Sequence, residues 1–304
     1  MKVVLLSGGV GGARFARGLH AVLAPDELTI VGNVGDDLEV LGLAVSPDLD
    51  SILYTLAGRS DDERGWGRSG ETWNALSAAA EWGGEDWFRL GDLDLGLHLV
   101  RTQALRAGAT LSEVTSRLVS RAGLRLRLLP ATDEPLRTLV ATPAGTFPFQ
   151  EWFVARSHAD EVDDVRFDGA VGARPAPGVL DALREADAVL IAPSNPFASI
   201  GPILAVREIR EAVEERAVRS VAVSPLIGGK AVKGPADRML SRMAGGTTPG
   251  HVAGCYEGLI DSLVIDEADL PADAAVDLVA TKTLMADREA ARRLAAVVLD
   301  VACA

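Results

Sequence analysis

Cysteine is scarce in this 304-residue sequence, with only Cys255 and Cys303 present. Two unclustered thiols exclude a disulfide framework and fit a reducing compartment. Neither sits in a Cys-x-x-Cys pair. The four histidines, His20, His98, His158 and His251, are scattered without His-x-x-x-His spacing. A zinc site of the usual ligand spacing is therefore excluded. No apolar run approaches the roughly 18 to 20 residues of a membrane span. The N-terminus is too short and too broken by glycine to read as a secretory signal. A cytoplasmic protein without membrane attachment is expected. Positive charge is also in short supply, since 30 Lys and Arg face 43 Asp and Glu and leave a net −13. Such a surface argues against a nucleic-acid partner. It also repels phosphorylated small molecules at long range. A phosphate site here needs local devices: a divalent metal held by carboxylates, arginines, or helix N-termini.

What the sequence does have begins at residue 3. Val3 to Leu6 is a short, continuously apolar run, the pattern of a strand buried on both faces. Ser7, Gly8, Gly9, Gly11 and Gly12 follow, and then an amphipathic stretch with Phe15, Leu19 and Val22 on one side. Strand, glycine loop and helix in succession present backbone N–H groups and a positive helix end to a phosphate. The spacing Gly9-x-Gly11 resembles a dinucleotide fingerprint, but Arg14 stands where a third glycine belongs, and no Gly-Lys-Ser/Thr follows. The loop therefore indicates a phosphate or nucleotide without specifying NAD or ATP.

Further along, strand candidates at Leu28 to Val31, Leu126 to Leu129, Val189 to Ala192, Ser220 to Val223, Leu263 to Ile265 and Val276 to Ala280 alternate with helical stretches. A hairpin is expected where Thr138 to Thr142 and Thr146 to Trp152 flank Pro143-Ala-Gly145. Thr110 and Glu113 have capping-box spacing at the start of one helix. The alternation predicts an α/β fold with a doubly wound, mostly parallel, Rossmann-like sheet. Residues 1–47 together with 124–304 would form the nucleotide-binding domain. Residues 48–123, with few β-branched runs, would form a helical insertion over the site. Four loops follow predicted strand ends: Ser7–Gly12, Asn33–Asp37, Ser194–Gly201 and Ser224–Gly229. In an open parallel sheet such loops share one edge, where ligands bind.

Asp36, Asp37, Asp48 and Asp50 form a carboxylate group suited to Mg²⁺, which binds through one or two carboxylates plus water and phosphate oxygens. Asp48 and Asp50 are two residues apart, so one is expected to face a site and the other solvent. Pro47 suits the first position of a helix capped by Ser46. Arg64, Arg68, Arg89 and Arg101 share the helical region with Trp66, Trp73 and Trp87. Indole faces and guanidinium planes together can hold a flat heterocycle by stacking.

Taken together, these motifs resemble the 2-phospho-L-lactate transferase family (CofD/FbiA) of deazaflavin coenzyme F-420 biosynthesis. The resemblance rests on Ser7-Gly-Gly-Val-Gly-Gly-Ala-Arg14, Asn33-Val-Gly-Asp-Asp37, Ser46-Pro-Asp-Leu-Asp50, Arg64-Gly-Trp-Gly67, Glu71-Thr-Trp-Asn74 and Trp87-Phe-Arg-Leu-Gly-Asp92. His98-Leu-Val-Arg101, Phe149-Gln-Glu-Trp152, Ala192-Pro-Ser-Asn-Pro196 and Val223-Ser-Pro-Leu-Ile-Gly228 extend it in order over nearly the whole chain. Leu93 departs from the basic residue expected after Gly91-Asp92.

The resemblance implies a Mg²⁺-dependent transfer. A guanosine diphosphate ester of a three-carbon acid gives its acid-bearing phosphoryl group to the ribityl hydroxyl of the deazaflavin precursor, and GMP leaves. The acid is lactate in methanogen-like members and enolpyruvate in actinobacterial ones, which this composition resembles more. Gly8, Gly9, Gly11, Gly12, Arg14, Asn33, Ser194, Asn195 and Ser224 would hold the nucleotide. Asp36 and Asp50 would hold the metal and serve as catalytic carboxylates. Asp50, Arg89, Trp66 and Trp87 would contact the deazaflavin. A homodimer acting on small molecules is expected. The runner-up reading is a non-catalytic sister group of nucleotide-sugar-binding regulators, which needs no Trp/Arg surface.

Overall fold

A computed structural model describes residues 1–304. Seven strands form one parallel sheet: β1 (Val3–Ser7), β2 (Leu28–Gly32), β3 (Arg127–Pro130), β4 (Ala188–Ile191), β5 (Ser220–Val223), β6 (Ser262–Asp266) and β7 (Asp277–Thr281). Their spatial order is β7-β6-β5-β4-β1-β2-β3. The order reverses between β1 and β4, which pair in parallel with Val3 opposite Ala188 and Leu6 opposite Ile191. Loops leaving two neighbouring strands in opposite directions open a crevice there. Strands β1, β2, β4, β5 and β6 are buried along their whole length. That explains their predominance of Val, Leu, Ile and Ala, since helices cover the sheet.

Helix α1 (Gly9–Val22) leaves the first strand directly and packs on both α2 (Pro47–Leu56) and the terminal helix Arg288–Cys303. Gly18 permits the latter contact, because a Cβ there would strike the Ala291 carbonyl. Leu49, Ile52 and Leu53 of α2 belong to the main core. Between Leu56 and β3 the chain forms α3 (Asn74–Glu81), α4 (Asp92–Arg106) and α5 (Leu111–Arg121), and α5 contributes Val119 to the main core. Thr110 and Glu113 form the predicted capping box of α5. Asp92 at the start of α4 accepts from the Thr72 hydroxyl and the Asn74 and Ala75 N–H groups, which pins the preceding turn.

The predicted hairpin exists, with Arg137–Thr142 antiparallel to Gly145–Pro148, but its second strand is shorter than expected. The backbone turns at Phe149, and Glu151–Ala155 coils into a short π-helix instead of continuing to Trp152 as a strand. Burial decides this outcome. Trp152 is 1% exposed and packs with Phe149 and Val140 in a small satellite core that a continuing strand would not close. A third strand, Asp164–Asp168, completes this small sheet, and the periodicity did not announce it.

Candidate active site

All seven strands run the same way, so the loops after β1, β2, β4 and β5 meet at one edge. There they border a cleft of about 660 Å³. Gly8 is extended and Gly9 adopts φ +67° before α1 begins. The N-cap position of α1 is Gly8, which has no side chain to cap the first turn, and Gly8, Gly9 and Gly11 line the cleft. Three glycines are needed for close approach rather than for flexibility. A Cβ on Gly8 would lie 2.6 Å from Asp48 Oδ2, and one on Gly11 would lie 2.6 Å from the Pro193 carbonyl. A Cβ on Gly12 would strike the Ser7 and Ser194 hydroxyls. The Ser194 hydroxyl donates to the Gly8 carbonyl at 2.7 Å and ties the loop after β4 to the glycine loop.

Of the residues expected to hold nucleotide, Gly8, Gly9, Gly11, Arg14, Ser194, Asn195 and Ser224 line the cleft. Gly12 and Asn33 do not; they act one layer below. Asn33 is completely buried, and its Nδ2 donates to Asp48 Oδ2 at 2.9 Å and to the Ala198 carbonyl at 3.2 Å. Its Oδ1 accepts from the Gly35 N–H at 2.7 Å, which shapes the turn carrying Asp36. Asn195 Oδ1 accepts from the Phe197 N–H at 2.9 Å and so holds its own loop. Ser224 Oγ accepts from the Leu226 N–H at 3.2 Å and shapes the turn after β5.

The carboxylates need one correction. Asp48 and Asp50 do not divide between site and solvent; they are 6% and 5% exposed, and both line the cleft. The N-terminus of α2 is wedged between the glycine loop and α4, so both sides of its first turn are covered. Asp50, expected to hold a metal with Asp36, is paired here with an arginine. Both Asp50 oxygens are taken by Arg101, whose Nη1 stands 2.9 Å from Oδ2 and whose Nη2 donates to Oδ1. A bidentate guanidinium pair of this kind fixes the orientation of the carboxylate. The carboxylate coupled to Asp36 is Asp48. Burial and then the Asp48 charge lift the Asp36 carboxyl well above the ordinary carboxylate range. Burial also raises Asp48, against the Asn33 amide and the Gly9 N–H that favour its charge. Asp36 Oδ1 is buried without a hydrogen-bond partner. Two confined, mutually repelling carboxyls with an unsatisfied oxygen suit a divalent cation with phosphate and water completing its shell. No group of three or more His, Cys, Asp or Glu side chains gathers at ligating range, so the protein alone does not form a closed metal cage.

Behind Asp50 runs a buried polar chain. Arg101 Nη1 lies 3.2 Å from His98 Nδ1, and His98 Nε2 lies 3.2 Å from Asp94 Oδ1. The Tyr54 hydroxyl donates to Asp94 Oδ1 at 2.5 Å. Burial opposes the Asp94 charge, yet His98 and Tyr54 hold its carboxyl below the ordinary value. His98 and Arg101 are each 1% exposed, and Arg101 does not stack with the tryptophans.

The opposite wall is aromatic. Trp66, Trp87 and Arg89 line the cleft, as do Phe149, Gln150 and Phe153. The Arg89 guanidinium lies 5.1 Å from the Trp73 ring centre, and Arg64 lies 4.6 Å from that of Trp66. Phe149 and Phe153 stack at 5.4 Å across the way. Sequence reasoning missed these two phenylalanines because it read their segment as strand. The only available signal was their i, i+4 spacing, which places both on one helical face.

Glycine-loop, acidic and aromatic residues thus line one cleft. The family model described as 2-phospho-L-lactate transferase CofD matches residues 3–302. The chain belongs to the CofD family. It is 46% identical to the phosphoenolpyruvate transferase of Kitasatospora aureofaciens, over 99% of this chain and 98% of the relative. It is 42% identical to the proteins of that name from Streptomyces coelicolor and Thermobifida fusca, again over 99% of this chain and 98% of each relative. Among solved structures, the crystal structure of a UPF0052-family protein from Bacillus halodurans superposes with a TM-score of 0.64 at 17% identity. It covers 98% of this chain and 99% of its own, and establishes the CofD-family fold. No helix is long and apolar enough to cross a membrane.

Proposed function

We propose that this CofD-family transferase moves an enolpyruvyl phosphoryl group from a guanosine diphosphate ester to the ribityl hydroxyl of the deazaflavin precursor of coenzyme F-420. GMP is the leaving group, and the enzyme acts as a cytoplasmic homodimer. The observation that carries this reading is the sharing of one cleft by the glycine loop, the Asp36–Asp48 pair and the Trp66–Trp87–Arg89 wall. Enolpyruvate is favoured over lactate because the relatives that align over nearly their full length are phosphoenolpyruvate transferases.

Phosphoryl transfer asks mainly for positioning and charge neutralisation. The α1 N-terminus, Arg14 and the loops at Ser194, Asn195 and Ser224 hold the guanosine diphosphate. Trp66, Trp87, Arg89 and the Arg101-fixed Asp50 orient the flat acceptor. Asp36 and Asp48 are the residues that would hold Mg²⁺, which when bound neutralises phosphate charge. The acceptor hydroxyl attacks the phosphorus bearing the acid. Its oxygen–phosphorus bond forms as the anhydride bond to GMP breaks, and GMP leaves with that electron pair. The hydroxyl proton passes to Asp36, whose Oδ1 is buried without a hydrogen-bond partner and so can accept it. The test is mass spectrometry of the product formed from the deazaflavin precursor with guanylylated enolpyruvate or lactate, with and without Mg²⁺. A phosphodiester carrying enolpyruvate, together with GMP, is expected. No phosphodiester from either donor would overturn the reading.

A further inference from the structure

Three arginine and lysine side chains line the cleft: Arg14, Arg89 and Lys233. Arg89 is engaged with the Trp73 ring. Arg14 and Lys233 instead converge on each other. The Cβ position of Gly65 lies 2.6 Å from Lys233 Nζ and 4.0 Å from Arg14 Nη2. Neither takes part in an ion pair, although the nearby Arg17 and Lys230 hold Asp62 and Asp237. Lys233 donates only to the carbonyls of Gly65 at 3.0 Å and Arg64 at 3.3 Å. Two facing cations without a counter-ion, in a chain of net charge −13, repel each other at a cost that a bound anion removes. Burial and then the Arg14 charge lower the Lys233 ammonium, in keeping with that crowding. Arg14 also lies on the second turn of α1, whose N-terminus already favours anions.

We infer that Arg14 and Lys233 form an oxyanion subsite at the mouth of the cleft that holds an anionic group of the donor. Lys233 is thereby a substrate-positioning residue on the segment after β5. It also joins that segment to the Arg64–Gly67 turn, so a donor anion seated there binds both rims of the cleft at once. The inference rests on the proposed donor for the identity of the anion, which is either a diphosphate oxygen or the carboxylate of the three-carbon acid.

The test is calorimetric binding of guanosine, GDP, inorganic pyrophosphate and the guanylylated acid to the wild type and to Arg14→Gln, Lys233→Gln and Lys233→Arg, with circular dichroism to confirm folding. A lost charge-assisted contact is worth about a tenfold change in affinity. If the subsite takes a phosphate, both Gln variants weaken GDP about tenfold and leave guanosine unchanged, and Lys233→Arg retains most of the affinity. If it takes the carboxylate, GDP is unaffected and only the guanylylated acid weakens. A wild type that ignores guanosine and GDP but binds pyrophosphate through Arg14 and Lys233 would remove the guanosine donor and keep the subsite. Equal affinities for every ligand across the folded variants would overturn the inference.

Discussion

Arg101 and Asp50 form a closed pair, with both guanidinium Nη atoms on both carboxylate oxygens, 1% and 5% exposed respectively. Removing one member of a buried pair leaves an uncompensated charge. Arg101→Met is therefore expected to cost about 3–5 kcal/mol of stability. The double variant with Asp50→Asn should recover part of it, because the orphaned charge is gone. Denaturant melts of the two singles and the double check this. Additive losses would show that the pair is not energetically coupled.

The Asp36–Asp48 pair sets stability against function. Both carboxyls are raised, so between the ordinary value of 3.8 and the folded one the native state keeps protons that the unfolded chain has lost. Stability contributed by this pair falls as pH rises through that window. Without Mg²⁺, Asp48→Asn should melt higher than the wild type at pH 8, with the gain shrinking toward pH 4. Turnover should drop at least about a hundredfold. Melting curves across pH and single-turnover rates measure the two halves; near-normal turnover would remove Asp48 from the chemistry.

At Gly8 an added methyl would collide with Asp48 Oδ2 at 2.6 Å and Ser199 Cβ at 2.9 Å. Gly8→Ala should displace the acidic residue from beneath the glycine loop and lower kcat by more than about tenfold. Gly96 is a matched control. It lies inside α4 with no atom within 4 Å of its Cβ position. Gly96→Ala should leave kcat alone and add about 0.5–1 kcal/mol of stability through helix propensity.

The two thiols should react differently. Burial pushes the Cys255 thiol up to about 11, while Cys303 lies exposed on the last helix. Because the thiolate is the nucleophile, a thiol reagent at pH 8 should label Cys303 quickly and Cys255 slowly, and the slow phase should accelerate with rising pH. Peptide mapping of early and late adducts separates them. Fast labelling at Cys255 would mean that its pocket opens.

Much of this molecule follows from local pattern. Continuous apolar runs such as Val3–Leu6 and Ser220–Val223 become strands because only a sheet covered on both faces buries every residue in turn. The glycines after the first strand mark a close-packed loop, because a side chain at Gly8, Gly11 or Gly12 would collide with its neighbours. The parallel sheet, the gathering of its loops at one edge and the tryptophans beside them were all legible in that way. What local pattern does not encode is pairing across sequence distance. Asp48 and Asp50 are the same residue type two positions apart, and nothing local says which one Arg101 neutralises and which one Asn33 aims at the glycine loop. Nor does alternation reveal that Phe149 to Ala155 abandons the strand to bury Trp152, or that Lys233 reaches the carbonyl of Gly65. Those choices are made by packing and charge compensation among segments that meet only when the sheet closes. Tertiary structure alone therefore decides which acidic residue is free to do chemistry.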